Sequence, residues 1–282
     1  LLPNVAQEQR LVEWLAMCAG LYNQALENRV ATYRATGKGL SYNAQTGHLT
    51  ILRRESPAWA NVPSDVVRSA LRRLDRAFQA FFRRVKTGQK PGFPRFRSRS
   101  VYDSFSFPAK KKTLHDNRVH VPLLGHIKIN LHREVLGDIR EVTVRRGIGG
   151  RWWVCFSCDL GEAPTKVAVR NAVGIDLGLE SFATLTDGSS VENPRHFRKG
   201  AETLAVRQRK LARAKRGSRG RARAKVLVAK AHAHVASQRR DHGRKVVVKL
   251  FRRFDLVAYE DLNIHGMVME ILRSRFTMRH GD

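Results

Sequence analysis

Positive charge constrains what this chain can fold into more than any other feature of its sequence. Of its 282 residues, 53 are Lys or Arg and 24 are Asp or Glu, which gives a formal net charge of +29. A compact domain with this charge repels itself unless a polyanion neutralises it, and nucleic acid is the obvious partner. The sequence contains neither a run of about 18 apolar residues nor a signal pattern, so it does not indicate a membrane protein. We therefore expect a soluble cytoplasmic protein, associated with the nucleoid.

The charge is concentrated in residues 195–253, which contain 21 Lys and Arg residues against two acidic residues. Ala, Leu and Val recur at helical spacing on both sides of the sequence RGSRG, which predicts a helical hairpin that turns there. A solvated helix normally mixes both signs of charge, so exposed positions that are nearly all cationic indicate a track for a phosphate backbone. The nucleic-acid-binding residues expected in this track are Arg207, Arg209, Lys210, Arg213, Lys215, Arg216, Arg219, Arg221 and Arg223.

In the first part of the chain, the spacing of the apolar residues changes once. Apolar residues at spacings of three and four predict one helix over residues 5–36 and a second over residues 64–85, and we expect the two to pack on each other. From residue 92 to about residue 166 the period becomes two, between Gly, Pro and Asn turn signals. That pattern predicts a small antiparallel β-barrel or sheet.

Residues 86–112 carry eight Lys and Arg residues and one Asp, with aromatic residues interleaved. Cations that hold phosphates, alternating with rings that stack on bases, are typical of segments that bind a single strand or a structured RNA. The alternative is a solvated basic loop whose Phe residues face the barrel. The expected nucleic-acid-binding residues are Lys90, Arg95, Phe96, Arg97, Arg99 and Tyr102, and the other interleaved rings are Phe93, Phe105 and Phe107.

Three cysteines cannot form a disulfide framework and suit a reducing compartment. Cys155 and Cys158 form a C-x-x-C in the apolar stretch RWWVCFSCDL. A zinc knuckle would need a second pair of ligands, which does not follow. We therefore expect buried thiols.

Asp176 interrupts the apolar stretch AVGIDLGLESFATLTDG, residues 172–188. Two apolar runs joined at residues 178–181 predict a β-hairpin. We expect Asp176 to be buried, and an ionised carboxylate there costs several kcal/mol unless it is paired, hydrogen-bonded or bound to a cation. One interpretation is an Asp that caps the turn through the N–H groups of Gly178 and Leu179. The other is a metal ligand.

A second apolar run, FDLVAY, ends at Glu260 and is followed by Asp261 and Asn263. Two buried strands that each deliver an acid at the same end of a sheet, separated by a helical crossover, form half of a site for two divalent metals. Such metals lie about 3.5–4 Å apart and clamp the attacking and leaving oxygens of a phosphodiester, and carboxylates suit Mg²⁺ or Mn²⁺. The second carboxylate favours the metal interpretation of Asp176.

The segments VGIDLGLESFATLTDGSSVENPRHFRK and LVAYEDLNIHGMV resemble the first and second segments of the RuvC-type, RNase H-like nuclease domain of the TnpB family. Members of that family are transposon-encoded RNA-guided nucleases, ancestral to type V CRISPR effectors. The stretches KPGFPRFRSRSVYDSFSFP, WWVCFSCDL and CAGLYNQALENR are similar to other parts of the family. The resemblance covers nearly the whole chain in order.

The resemblance implies a multidomain α/β fold. A helical recognition lobe is inserted in a wedge-like β-barrel and is followed by an RNase H-like (RuvC) domain with a long basic helical hairpin. On this chain, residues 1–10 would end the first part of the barrel and residues 11–88 would form the lobe. Residues 89–168 would complete the barrel, and residues 169–282 would form the nuclease domain without its C-terminal part.

By resemblance, Asp176 and Glu260 would be catalytic and bind the metal in an RNA-guided DNA endonuclease. Its partners would be a guide RNA and double-stranded target DNA with a short adjacent motif. The family's zinc knuckle and its third segment, with the last catalytic Asp, have no match here, and we do not assign Asp282 to that role. Zinc would bind only in a missing C-terminal segment, and the absence of an initial Met also suggests an incomplete chain.

Two other functions remain open at this point. One is an RNA-guided, repressor-like DNA-binding protein without nuclease activity. The other is an unguided nucleic-acid-binding accessory of a transposon. Two costly buried acids would favour the nuclease, since a protein that only binds gains little from them.

Overall fold

The computed structural model describes residues 1–110, 112–161, 168–178 and 180–261. The chain divides into two compact units, Leu1–Ala163 and Pro164–Asp282, which we call unit 1 and unit 2. Both units contain helices and strands, so the α/β class is confirmed. The four-segment division remains a prediction.

Unit 1 opens with helices whose ends follow from local chemistry. Helix α1 begins after Asn4, whose side chain accepts a hydrogen bond from Gln7 N while the Gln7 side chain accepts one from Asn4 N, a capping box. It ends at Gly37, where φ is 68°, a conformation that glycine adopts without strain. The described α-helices of unit 1 are α1 (Val5–Thr36), α2 (Tyr42–Glu55), α3 (Pro57–Ala60) and α4 (Ser64–Lys86). The predictions of α1 and α4 are confirmed, whereas α2 and α3 were not predicted.

Strands in unit 1 form two antiparallel three-stranded sheets, ordered β1-β5-β6 and β2-β3-β4. Closing a barrel requires the two edge strands to pair with each other. Within the described ranges β1 and β6 stay edges and no closed barrel forms, so the sheet alternative is the correct one. The strands are β1 (Ser104–Pro108), β2 (Leu114–His115), β3 (Arg118–Val121), β4 (Gly125–Lys128), β5 (Asp138–Arg146) and β6 (Trp152–Asp159).

Helices and strands of unit 1 share one core. The predicted packing of α1 on α4 is confirmed, and α4 also packs on β1. Trp14 of α1 is 2% exposed and meets the ring of Phe105 of β1 edge to face at 5.9 Å. A buried polar group joins three helices, because Arg29 donates to Gln45 Oε1 of α2 at 2.7 Å and to Asp75 Oδ1 of α4 at 2.9 Å. Both bonds satisfy a guanidinium that would otherwise be costly to bury.

The expectation of buried thiols is wrong for the C-x-x-C. Cys155 is exposed and Cys158 is half-buried, because β6 is an edge strand whose residues alternate between two unequally covered faces. Residues three apart in a strand point to opposite faces, so these two thiols do not converge on one ion. Cys18 of α1 is fully buried, as expected.

Unit 2 is a four-stranded sheet with two long helices. The sheet order is β10-β7-β8-β9, and the predicted hairpin is confirmed because β7 and β8 are antiparallel with Ile175 opposite Leu185. Helices α5 and α6 pack together, which confirms the predicted helical hairpin, although α6 already begins at Arg219. The elements are β7 (Ala172–Asp176), β8 (Ser181–Leu185), β9 (Ser190–Glu192), α5 (His196–Arg213), α6 (Arg219–Phe251) and β10 (Leu256–Tyr259).

Helix α6 covers one face of this sheet. Val246 and Leu250 of α6 are buried with Val173 of β7 and Leu185 of β8. None of the helices in the described part of the chain combines the length and the apolar composition that crossing a bilayer requires.

Candidate functional site

Two parallel strands, β7 and β10, form the centre of the candidate site. The Asp255 carboxylate accepts hydrogen bonds from Arg170 N and Asn171 N, both at 3.1 Å, while Asp255 N donates to Asn171 O at 2.9 Å. One side chain thus aligns the beginnings of both strands. Their register runs from Leu256 opposite Ala172 to Tyr259 opposite Ile175.

Asp176 ends β7, and Glu260 follows β10. Each acid lies one residue beyond the last pair of opposite residues in the two strands. Parallel strands run in the same direction, so both acids leave the same end of the sheet. Side chains alternate along a strand, and Ile175 packs toward α6, so Asp176 lies on the opposite face. The structure therefore brings the two predicted residues together, while their role as metal ligands stays a prediction.

The expectation that these acids are buried is wrong. Both Asp176 and Glu260 are exposed, because within the described residues α6 packs on the other face of the sheet. The desolvation cost does not arise, so the argument that burial favours a nuclease falls away. Leu179, one proposed donor of the turn cap, lies outside the described residues, and Gly178 N donates no hydrogen bond to Asp176 within them.

The neighbouring turn holds the sheet close to α6. Gly174 N donates to Thr186 Oγ1 at 3.1 Å, and a Cβ at Gly174 would lie 2.8 Å from Thr186 Cγ2, so a larger residue there would force Thr186 to shift. Asp187 accepts hydrogen bonds from Ser189 and from Arg253, at 2.9 Å, just after α6. The bonds from Ser189, helped by the Arg253 charge, lower the pKa of the Asp187 carboxyl.

The two acids have the donor chemistry for a hard divalent cation, because carboxylate oxygens are the ligands that Mg²⁺ and Mn²⁺ prefer. Within the described ranges no three His, Cys, Asp or Glu side chains are grouped to hold one ion. Asp176 and Glu260 therefore supply a partial ligand set.

The hairpin cations fall into two groups. Arg207 donates to Leu227 O at 3.0 Å, and Arg221 donates to Leu211 O at 3.0 Å and Ala214 O at 2.9 Å. These two guanidinium groups join α5 to α6 and cap the end of α5, so we remove them from the predicted track. The remaining cations are exposed and have no side-chain hydrogen bond or ion pair in the described part of the chain: Arg209, Lys210, Arg213, Lys215, Arg216, Arg219 and Arg223.

In unit 1, the basic segment also divides. Lys90, Arg95, Phe96, Arg97 and Arg99 are exposed and available to a ligand. The prediction for Tyr102 is wrong: it is 2% exposed, its ring is covered by the Arg73 guanidinium at 4.6 Å, and burial raises the pKa of its hydroxyl. Phe105 and Phe107 are likewise core residues.

Sequence reasoning missed Arg84, which lines a groove with Arg95 and Arg97. At the sequence level Arg84 fits the last turn of α4 as a partner of the helix dipole. The available signal was the run of cations that continues from that turn into the loop.

Comparison with known proteins gives a consistent assignment. Residues 155–270 match a family model described as a probable transposase of the IS605 OrfB type, and residues 1–38 match the associated helix-turn-helix domain model. Within residues 1–38 this chain has the single helix α1. The class defined by these matches is that of transposon-encoded proteins.

Two curated relatives match most of the chain. It is 29% identical over 269 residues to "Putative RNA-guided DNA endonuclease InsQ" of Escherichia coli K12, covering 94% of this chain and 65% of that protein. It is 31% identical over 256 residues to "Putative RNA-guided DNA endonuclease" of Streptomyces pristinaespiralis, covering 88% of this chain and 62% of that protein. The chain thus spans less than two thirds of the length of either relative. These matches confirm the resemblance to the TnpB family of transposon-encoded proteins.

A solved structure, the cryo-EM structure of a CRISPR-Cas12f ternary complex, has a TM-score of 0.34 and 14% identity to this chain. It covers 90% of this chain, which in turn covers 63% of the Cas12f chain.

Proposed function

We propose that this chain acts in RNA-guided cleavage of DNA: it binds a guide RNA and cuts target DNA by divalent-metal-dependent hydrolysis of a phosphodiester. The observation that carries this proposal is the parallel register that brings Asp176 and Glu260 to the same end of adjacent strands. The names of the two relatives support the substrate and the guide.

Sheet order in unit 2 supports a RuvC-type, RNase H-like domain. Three antiparallel strands are followed, after the α5–α6 hairpin, by a strand parallel to the first. In the same proposal, α1 and α4 belong to the helical recognition lobe and the sheets of unit 1 belong to the wedge-like domain.

Each group of residues then has a physical task. Asp176 and Glu260 would hold Mg²⁺ or Mn²⁺, and a bound ion would supply Lewis-acid chemistry for hydrolysis of a phosphodiester. Because both carboxylates are exposed, a phosphodiester reaches them without any displacement of core residues. The free hairpin cations hold a nucleic-acid backbone without reading its bases, so the guide and a short motif beside the target supply specificity.

The cleavage test uses the full chain, a guide RNA from its own element and a plasmid that carries the target. Asp176→Ala or Glu260→Ala should reduce cleavage more than about 100-fold, as expected for loss of electrostatic stabilisation of the transition state. RNA co-purification should stay unchanged. Glu192→Gln, an exposed acid of β9 in the same sheet, is the matched control and should cut normally. Chelation with EDTA should stop cleavage, and Mg²⁺ should restore it.

One observation favours a second function, an RNA-guided DNA-binding protein that does not cut. In the described residues only two acids meet at the strand ends, without a third. If the unmodified chain binds its target in an RNA-dependent way but never cleaves it in Mg²⁺ or Mn²⁺, this second function is correct. Wild-type cleavage rates in Asp176→Ala would instead refute the proposed metal site.

A further inference from the structure

A groove of about 600 Å³ lies in unit 1 between the C-terminal half of α4 and residues 92–101. Its volume falls within the roughly 300–1,000 Å³ of sites that enclose small ligands. The lining includes Arg84, Phe93, Arg95, Phe96 and Arg97 and no acidic residue.

Residues 92–98 form neither helix nor strand, yet several contacts fix them. The Asn23 amide of α1 donates to Arg97 O at 2.9 Å and accepts from Arg97 N at 2.8 Å. Pro94 is buried, and Phe93 meets the ring of Phe78 edge to face at 5.6 Å. These contacts prepare the groove before a ligand arrives, which lowers the entropic cost of binding.

The groove offers uncommitted groups of two kinds. The guanidinium groups of Arg84, Arg95 and Arg97 are exposed and make no hydrogen bond or ion pair within the part of the chain that the structure describes. Phe96 is 64% exposed and its ring meets no other aromatic ring there. An exposed ring between cations suits a ligand that has flat apolar faces and regularly spaced negative charges.

We propose that this groove binds the unpaired nucleotides of a single strand, with a base stacked on Phe96 and phosphates held by Arg84, Arg95 and Arg97. The proposal rests on the proposed function in that the chain works on nucleic acid. Bases in a duplex hide their faces in the stack, whereas an unpaired base presents a face that an aromatic side chain can cover. The groove therefore selects unpaired over paired nucleotides, in contrast to the aromatic-poor hairpin of unit 2.

The test compares full-length Phe96→Ala with Tyr33→Ala, which removes a ring that is 62% exposed on α1. Fluorescent single-stranded RNA, single-stranded DNA of the same sequence and the corresponding DNA duplex serve as probes. We expect Phe96→Ala to weaken single-strand binding about tenfold, as for removal of one ring on which a base stacks. Duplex binding, and all binding by Tyr33→Ala, should be unchanged. If Phe96→Ala weakens the binding of single-stranded RNA more than that of single-stranded DNA, the groove binds RNA, and the reverse result assigns it to DNA.

Equal weakening for single strand and duplex, or none for either single strand, overturns the proposal. A 4-thiouridine photocrosslink gives an independent readout: it should map to the peptide that contains Phe96, and crosslinks confined to the α5–α6 hairpin would refute the groove. RNA co-purification and plasmid cleavage are measured on the same preparations. A variant that retains both with unchanged single-strand affinity disproves the groove and leaves the proposed function intact.

Discussion

The two units differ in how well their sheets are covered. Among the residues that the structure describes, the core cluster of unit 1 contains 27 buried residues from both helices and strands, whereas the cluster beneath the sheet of unit 2 contains four. Unit 1 therefore gains far more from hydrophobic burial, which is roughly proportional to the apolar area removed from water. In the described part of unit 2, α6 packs on one face of the sheet, and the two candidate metal ligands stand at the strand ends of the other face.

The basic surfaces follow the same contrast. In unit 1 cations surround aromatic rings in a groove fixed by several contacts, whereas the α5–α6 hairpin combines many cations with two Phe rings, Phe197 and Phe251, and no Tyr or Trp. Rings can distinguish unpaired from paired bases, while cations alone respond to backbone charge. If both proposals hold, the groove of unit 1 recognises the form of a nucleic acid and the hairpin cations of unit 2 hold a backbone.

The largest effect is expected from a cavity in the core of unit 1. Trp14→Ala removes a ring that is 2% exposed and packed on Phe105, so unit 1 should lose about 3–5 kcal/mol of its free energy of unfolding. Hydrogen exchange followed by mass spectrometry measures protection peptide by peptide. Peptides of unit 1 should lose protection while those of β7 and β10 keep it. Equal loss in both units would contradict this prediction and show that they unfold together, and Tyr33→Ala in the same helix is the control.

The same contrast explains what the sequence could predict. Helices α1 and α4 repeat buried residues over many turns, so their periodicity is strong. Helix α2 buries only Gln45 and Leu49, so it lacks an apolar stripe that a periodicity analysis could detect.

It was harder to predict which face of a strand is covered, and how distant strands pair, than to predict helices from the spacing of apolar residues. Alternation identifies two faces of a strand but not which of them another element covers, so the burial of Asp176 and Cys155 was predicted wrongly. For the same reason Tyr102 could not be told from the exposed Phe96. The proximity of Asp176 and Glu260 depends on pairing between strands about 80 residues apart, which two similar strand endings could only suggest.

A medium effect should separate the two groups of hairpin cations. Changing Arg209, Lys210, Arg213 and Lys215 together to Gln removes exposed, unpaired charges. The slope of log K against log salt concentration should become shallower by about 0.7–0.9 for each phosphate that the variant no longer neutralises. The matched variant changes Arg207 and Arg221 to Gln and should instead lower the melting temperature of unit 2, because each guanidinium bonds to backbone carbonyls of the hairpin. An unchanged salt slope in the fourfold variant would refute the track.

The smallest effect concerns thiols, and it probes the interior of unit 1 directly. Burial raises the pKa of Cys18 to about 12, whereas Cys155 is exposed on β6. Since the thiolate is the reactive form, Ellman's reagent at pH 8 should modify Cys155 promptly and Cys18 only when unit 1 opens. Trp14→Ala should accelerate the labelling of Cys18 and leave that of Cys155 unchanged.

The buried thiol also makes the stability of unit 1 depend on pH. Because Cys18 ionises at lower pH in the unfolded chain than in the folded one, its contribution to stability is complete below about pH 9 and declines as the pH rises toward 12. Rapid labelling of Cys18 in the unmodified chain at pH 8 would show that the core of unit 1 opens as readily as its surface.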